Sequence, residues 1–262
     1  MEDTLLNSST GKSATGLRIA SKILQLEMAI RNFGVELEYR CDFQTLREIS
    51  NDIPDTPELT GVFDNRYCDI GTENGFWIKA ADHDGQIIHI QAIRHDDLSG
   101  TNLSRHWLDN PLLYAPAGYD IAIDKSDFET APAANKITGR VCYLGDYWLE
   151  QSYRNMEFAP LLSEYGKLQA LMRFSPDFLY AFMQQRMVER GWAARAGFLH
   201  IHPWAPRWQI RGKAKFYDEY FVWISGPELE NLWAASKRDI DILSRINVTG
   251  NGRSPVEKSI TG

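Results

Sequence analysis

The chain has 262 residues, a net charge of −7 and 44% hydrophobic residues, a composition typical of a globular protein with a substantial core. No apolar run approaches the roughly 20 residues that a transmembrane helix needs, and the amino-terminal residues lack the pattern of a secretory signal. The three cysteines, Cys41, Cys68 and Cys142, form no CxxC pair. They predict free, buried thiols in a reducing cytoplasm, and the lack of a long apolar run predicts no association with a membrane.

On electrostatic grounds, the net negative charge argues against binding of nucleic acid by the protein surface as a whole. It conceals a basic stretch between Arg186 and Lys215, which holds seven Lys/Arg and one acid, Glu189. Such a stretch favours an anionic ligand near one site, although a solvated basic helix face explains it equally well. Aromatic residues alternate with these charges in the segment 203–217, for which a loop with a basic rim is the preferred interpretation.

Periodicity and turn residues predict one mixed α/β domain over residues 17–246, between a disordered arm (1–16) and a flexible tail (247–262). Asp84-Gly85 favours a hairpin turn between two alternating runs, and Asp42 is a helix N-cap candidate. The predicted elements are, in order, helix 17–33, strand 35–41, helix 42–50, the hairpin 76–94, a variable region 97–135, strand 137–151, helix 158–174, strand 177–183, helix 184–198, and strands 199–204 and 218–225.

The junction between the long strand and the following helix carries a recognisable motif. It reads Arg154-Asn155-Met156-Glu157-Phe158-Ala159, preceded by Tyr153. Together with the element order over residues 35–225, it resembles the GNAT superfamily of acyl-CoA-dependent N-acyltransferases. In that superfamily a loop of the form Arg/Gln-x-x-Gly-x-Gly/Ala binds pyrophosphate. Arg154 and Ala159 match the pattern, whereas Glu157 replaces the first glycine.

A second point of resemblance is the segment GWAARAGF (191–198), which is similar to the end of the last helix in that superfamily. Many members carry a tyrosine four residues before the Gly of the Gly-Phe pair, where it protonates the leaving thiolate. This chain has Ala193 at that position, with Trp192 beside it. The general acid is therefore missing from its expected place.

The resemblance implies a GNAT-like fold with an extra amino-terminal helix and an acyltransferase that uses acetyl-CoA or another acyl-CoA and an amine acceptor, with no metal. It also implies a fourth strand that splays from the next one and holds the pantetheine arm and the thioester. A homodimer is a further expectation. The implied acyl-CoA-binding residues are Tyr147, Trp148, Leu149, Arg154, Asn155, Met156, Glu157, Phe158 and Ala159.

Amine acylation needs a base for the ammonium proton. Asp146 and Glu150 share a strand face and are candidates, although polar groups at a strand end in solvent are the commoner case. His200 is a third candidate. With His202 it forms a His-x-His pair, for which the sequence indicates no third metal ligand.

Three interpretations of the function stay open. The leading one is an N-acyltransferase. The second is a GNAT-like protein without catalysis that binds a small molecule or a protein, which the absent loop glycine and tyrosine favour. The third is a distant relative that makes acylated signals or transfers aminoacyl groups. The motif itself has two interpretations, a phosphate cradle or a plain turn in which Glu157 and Pro160 suit a helix start.

Overall fold

A computed structural model describes residues 2–53, 58–128, 131–154, 159–203, 205–214 and 216–235. The helices are α1 (Glu2–Arg31), α2 (Phe43–Asp52), α3 (Leu103–Asp109), α4 (Ala159–Phe174), α5 (Gln185–Glu189), α6 (Trp192–Arg195) and α7 (Gly226–Ala235). The strands are β1 (Glu36–Arg40), β2 (Gly75–Ala81), β3 (Ile87–Asp97), β4 (Arg140–Leu149), β5 (Phe178–Gln184), β6 (His200–His202), β7 (Trp208–Gln209), β8 (Phe216–Tyr217) and β9 (Glu219–Ser225).

A seven-stranded mixed sheet forms the centre of the fold, in the order β1-β2-β3-β4-β5-β9-β6. Its neighbouring strands run antiparallel except β4 and β5, which are parallel and joined through α4. The predicted mixed α/β fold class is therefore confirmed. None of the helices in the described part of the chain is long and apolar enough to cross a membrane.

Each face of the sheet has its own apolar core. On one face α1 and α4 pack over Ile93, Leu144 and Leu179. On the other face α2, α3 and the connection between β3 and β4 cover Trp77, Tyr143 and other large aromatic residues. The described residues of the segment 97–135 therefore cover this second, aromatic face, where the sequence predicted only a variable region.

Local signals place most elements correctly. The side chain of Asp42 accepts hydrogen bonds from the backbone N–H groups of Gln44 and Thr45, as expected of an N-cap, and Gly85 adopts the positive φ of the β2–β3 turn. The predicted helix 184–198 is instead broken into α5 and α6. Gly191, at φ 74°, interrupts it, because the left-handed conformation ends a helix.

The structure describes the amino-terminal segment but not the carboxy-terminal one. Helix α1 begins at Glu2, so helical backbone covers most of residues 1–16, where composition predicted a disordered arm. The segment from 2 to 31 contains no proline that would stop a helix. The predicted flexible tail at 247–262 lies outside the described residues.

Candidate functional site

The centre of the sheet opens where β4 and β5 part. The two strands pair over three residues of β4 only, Val141 to Tyr143. Among the described residues, no strand continues this pairing with the rest of β4. The divergence that the resemblance implied for the fourth strand is thus present, and it begins after Tyr143.

A bulge in β4 marks the start of the divergence. Gly145 pairs with Ala92 and Trp148 with Ile90, so two residues, Asp146 and Tyr147, oppose one residue of β3. Asp146 has φ 46°, a left-handed conformation that is uncommon for a residue with a side chain and that is concentrated at functional sites. A Cβ at Gly145 would lie 2.7 Å from the Phe63 ring, so the bulge also needs glycine next to Asp146.

The bulge directs Asp146 to the aromatic face of the sheet. Its two carboxyl oxygens accept hydrogen bonds from Thr60, one from the backbone N–H at 3.1 Å and one from the hydroxyl at 2.5 Å. Burial raises the pKa of the Asp146 carboxyl to about 6, although both Thr60 contacts lower it. This predicted base is therefore a carboxylate at neutral pH that takes up a proton in mildly acidic solution.

A second carboxyl, that of Glu219, lies across the divergence on β9, where Glu219 pairs with Gln184 at the end of β5. Burial raises the pKa of Glu219 to about 7. Its side chain is partly exposed and has no hydrogen-bond partner in the described ranges. Glu219 is thus a desolvated acid whose carboxyl is free to take a proton.

The charges of both acids act on Tyr143, which lies on β4. Its phenol is buried, and burial raises its pKa well above the usual value, with further contributions first from the charge of Glu219 and then from that of Asp146. Tyr217 also adjoins Glu219, since burial and then Glu219 raise its pKa to about 12, and Gln184 donates a hydrogen bond to its hydroxyl at 2.8 Å. We call the group Tyr143, Asp146, Gln184, Tyr217 and Glu219 the β4–β5 cleft.

The other two predicted bases have different surroundings. The Glu150 carboxylate accepts hydrogen bonds from the N–H and hydroxyl groups of Ser152 and caps the turn after β4. His200 lies on the edge strand β6, stacked on Trp223 at 3.7 Å and 2.8 Å from a Glu228 carboxylate oxygen. Two strands, β5 and β9, separate β6 from β4, which places His200 about 14 Å away across the sheet.

The predicted acyl-CoA-binding residues of β4 pack in the core or beside it. The Tyr147 hydroxyl donates to the Ala159 carbonyl at 2.9 Å, at the first residue of α4. Leu149 is buried, and its carbonyl accepts a hydrogen bond from Arg154 Nε at 2.8 Å. Trp148 is nearly buried, and its Nε1 has no partner among the described residues.

The loop that would bind pyrophosphate is described only at its ends. Arg154 is exposed, and Ala159 begins α4. The predicted binding residues Asn155, Met156, Glu157 and Phe158 lie outside the described residues. The choice between a phosphate cradle and a plain turn therefore stays a prediction.

Trp192 occupies the helical side of the divergence. Its ring lies 5.8 Å from that of Tyr147, so the segment after β5 touches β4 there. Next to Tyr147, at 4.7 Å, the buried His89 has its Nδ1 2.7 Å from the Trp148 carbonyl. Burial lowers the pKa of His89 to about 4, so it is a neutral structural histidine.

Sequence reasoning identified Asp146 but missed Glu219, Tyr143 and Tyr217 as members of one site. Glu219 stands in an ordinary acidic start of a strand, DEYFVWIS. No local pattern separates it from a solvated acid, because its neighbours come from β4, β5 and β8. Only the pairing of β9 with β5 brings it to the cleft.

Comparisons with known proteins give no sequence relative. No protein-family model matches the chain, and no curated protein matches it. Among solved structures, it is similar to Arabidopsis thaliana NAA60 in complex with acetyl-CoA, with a TM-score of 0.42 and 16% identity over 73% of this chain and 98% of that one.

Two further solved structures show the same level of likeness. A chimera of the spermidine N-acetyltransferase SpeG from Vibrio cholerae has a TM-score of 0.42 and 10% identity over 76% of this chain and 99% of that chain. FeeM, an N-acyl amino acid synthase from uncultured soil microbes, has a TM-score of 0.38 and 9% identity over 74% and 93%. The mixed sheet and the divergence of β4 from β5 are the features that the resemblance to the GNAT superfamily implied.

Proposed function

We propose that the protein is an N-acyltransferase that transfers an acyl group from acetyl-CoA or another acyl-CoA to an amine at the β4–β5 cleft. The observation that supports this most directly is the pair of acids, Asp146 and Glu219, beside the point where β4 leaves β5. Both have pKa values raised by burial into the range of about 6 to 7. A general base is most effective in this range near neutral pH.

Glu219 is the better base of the two, and Asp146 is the better positioning group. The Asp146 carboxylate is already bonded through both oxygens to Thr60, which holds the bulge in place. The Glu219 carboxyl has no such partner within the described ranges. In the proposed reaction, the amine nitrogen bonds to the thioester carbonyl carbon, Glu219 accepts the ammonium proton, and the carbon–sulfur bond breaks to release CoA thiolate.

The second candidate function is binding without acyl transfer. Two contacts favour it: Trp192 packs on Tyr147 at the helical side of the divergence, and Arg154 donates to the Leu149 carbonyl of its own turn. Both place side chains where the resemblance puts the acyl-CoA. If they persist in solution, the protein does not bind acyl-CoA at this position.

Thermal unfolding with acetyl-CoA, with free CoA as control, separates the two candidates. Ligand at about a hundred times its dissociation constant adds roughly 2.7 kcal/mol, or a few degrees for a chain of this size. We expect such a shift for the native protein and a smaller one for Arg154→Ala. No shift at millimolar concentration, together with a shift in Trp192→Ala, would show that Trp192 closes the site and would support the second candidate.

Release of CoA thiol in the presence of an amine panel then tests catalysis. We expect kcat/KM to rise with pH and level off above about pH 7, as Glu219 ionises. Glu219→Gln should lower kcat at least about 100-fold, the usual scale of general base catalysis. The matched control is Glu230→Gln, an exposed glutamate of α7; equal rates in both variants would exclude Glu219 as the base.

A further inference from the structure

A buried lysine lies on the helical face of the sheet, away from the β4–β5 cleft. Lys167 of α4 is 1% exposed. Its ammonium donates to the Ala196 carbonyl and lies 4.9 Å from the centre of the Phe198 ring. In the part of the chain that the structure describes, no carboxylate forms an ion pair with it. A carbonyl and a ring face only partly replace the lost hydration of an ammonium group.

Lys167 lines a pocket of about 160 Å³ between α4, α6 and α7. Pro160 and Glu164 line it from α4, Arg195 from α6, and Leu229 and Trp233 from α7. The pocket is therefore charged on one side and apolar on the other. A cavity of about 150 Å³ accommodates benzene, so the volume sets the size of the occupant at roughly one six-membered ring with a substituent.

The charges of the pocket favour an anion. Lys167 and Arg195 contribute two cations, and the one acid among the described lining residues, Glu164, already has a partner in Lys22, 3.9 Å away. A carboxylate at the Lys167 ammonium would supply the ion pair that the described residues do not provide. Leu229 and Trp233 would then cover the apolar part of the same molecule.

We propose that this pocket binds a small monocarboxylate with a compact apolar or aromatic group, about the size of benzoate, with its carboxylate at Lys167 and its ring against α7. The site contains neither of the acids of the proposed acyl transfer. The cleft acids lie on the opposite, aromatic face of the sheet, whereas Lys167 packs among the helices. Failure of one proposal therefore leaves the other standing.

The protonation of Lys167 gives the site a pH dependence with a definite sign. Burial lowers the pKa of Lys167 to about 8, and Glu164 raises it in part. The other charged group of the lining is Arg195, and the described lining residues of α7 carry no charge. Because only the ammonium form attracts a carboxylate, affinity should fall as pH rises through 8, by about tenfold between pH 7 and pH 9.

Isothermal titration calorimetry of the full chain tests the proposal with benzoate and with benzyl alcohol, its neutral analogue. At pH 7 we expect benzoate to bind at least about tenfold more tightly than benzyl alcohol, the factor that a charge-assisted hydrogen bond provides. At pH 9 the difference should disappear, and benzoate binding should take up protons from the buffer. Equal binding of the two ligands at pH 7, or no benzoate binding at 10 mM, would overturn the proposal.

Substitution of Lys167 tests whether the preference for benzoate arises in this pocket. Lys167→Met keeps the length of the side chain and removes the charge, so it should abolish the preference for benzoate. Lys213→Met, at an exposed position, is the matched control and should bind as the native protein does. Benzoate binding that is unchanged in Lys167→Met would refute the site. If that variant does not fold, the two-ligand comparison on the native protein still decides.

Discussion

Replacing Glu219 by glutamine should stabilise the protein at high pH and have little effect at low pH. Burial raises the pKa of Glu219 from 4.5 to about 7, so the folded state holds a proton that the unfolded chain loses. Below about pH 4.5 both states are protonated and there is no penalty. Above pH 7 both states are ionised, and ionisation of the desolvated carboxyl lowers the free energy of unfolding by at most about 3 kcal/mol. Glutamine has nearly the same shape and does not ionise.

Urea unfolding at pH 5 and pH 8 measures this difference. The stability gained by Glu219→Gln should be larger at pH 8 than at pH 5 by roughly 2 kcal/mol. Glu230→Gln, at an exposed site on α7, should show no comparable change. A gain for Glu219→Gln that is equal at the two pH values would mean that the carboxyl is hydrated in the folded protein, which would remove the basis for its role as a base near neutral pH.

Three further substitutions or reactions test the geometry around the sheet. Asp146→Gly should be more stable than Asp146→Ala by about 1 kcal/mol in urea unfolding, because φ 46° penalises a Cβ; equal stabilities would exclude the bulge conformation. Gly226→Ala should lower the free energy of unfolding by about 1–3 kcal/mol, since its Cβ would overlap the Pro176 carbonyl oxygen; a neutral result would contradict this close approach. Mass spectrometry after brief alkylation should find Cys142, which is fully buried, unmodified while the partly exposed Cys41 reacts, and equal labelling would contradict the placement of Cys142 in the core.

Elements whose signals are local were predictable from the sequence. The turn at Asp84-Gly85 and the N-cap at Asp42 are examples, because a left-handed turn or a helix start depends on a few adjacent residues. The break at Gly191 was not predicted, since one glycine within a helical pattern is often tolerated. The sequence of β4 predicted a regular strand with side chains alternating between the two faces. Its bulge arises because two residues of β4 lie opposite one residue of β3. The bulge is therefore a property of the strand pair, and the sequence of β4 alone does not show it.

The candidate site was also predictable only where its signals are local. Asp146 was found because it lies on the strand that the GNAT resemblance singles out. Glu219 was missed because its importance comes from burial next to Tyr143, and burial is decided by tertiary packing. Glu150 was proposed as a base from its spacing to Asp146, yet its carboxylate already accepts a hydrogen bond from the Ser152 N–H. Spacing shows which side chains share a face, but it does not show which of them have a free hydrogen-bonding group.

The two acids of the cleft share a feature that a purely structural origin does not explain. Each lowers stability at neutral pH, because a carboxyl with a raised pKa must ionise in a site that disfavours its charge. Asp146 adds a left-handed backbone in the middle of a strand. A neutral side chain at position 219 would avoid the first cost, and glycine at position 146 would avoid both. The concentration of these costs at the one point where the parallel pair of strands separates is what favours a chemical role for the cleft over a packing role.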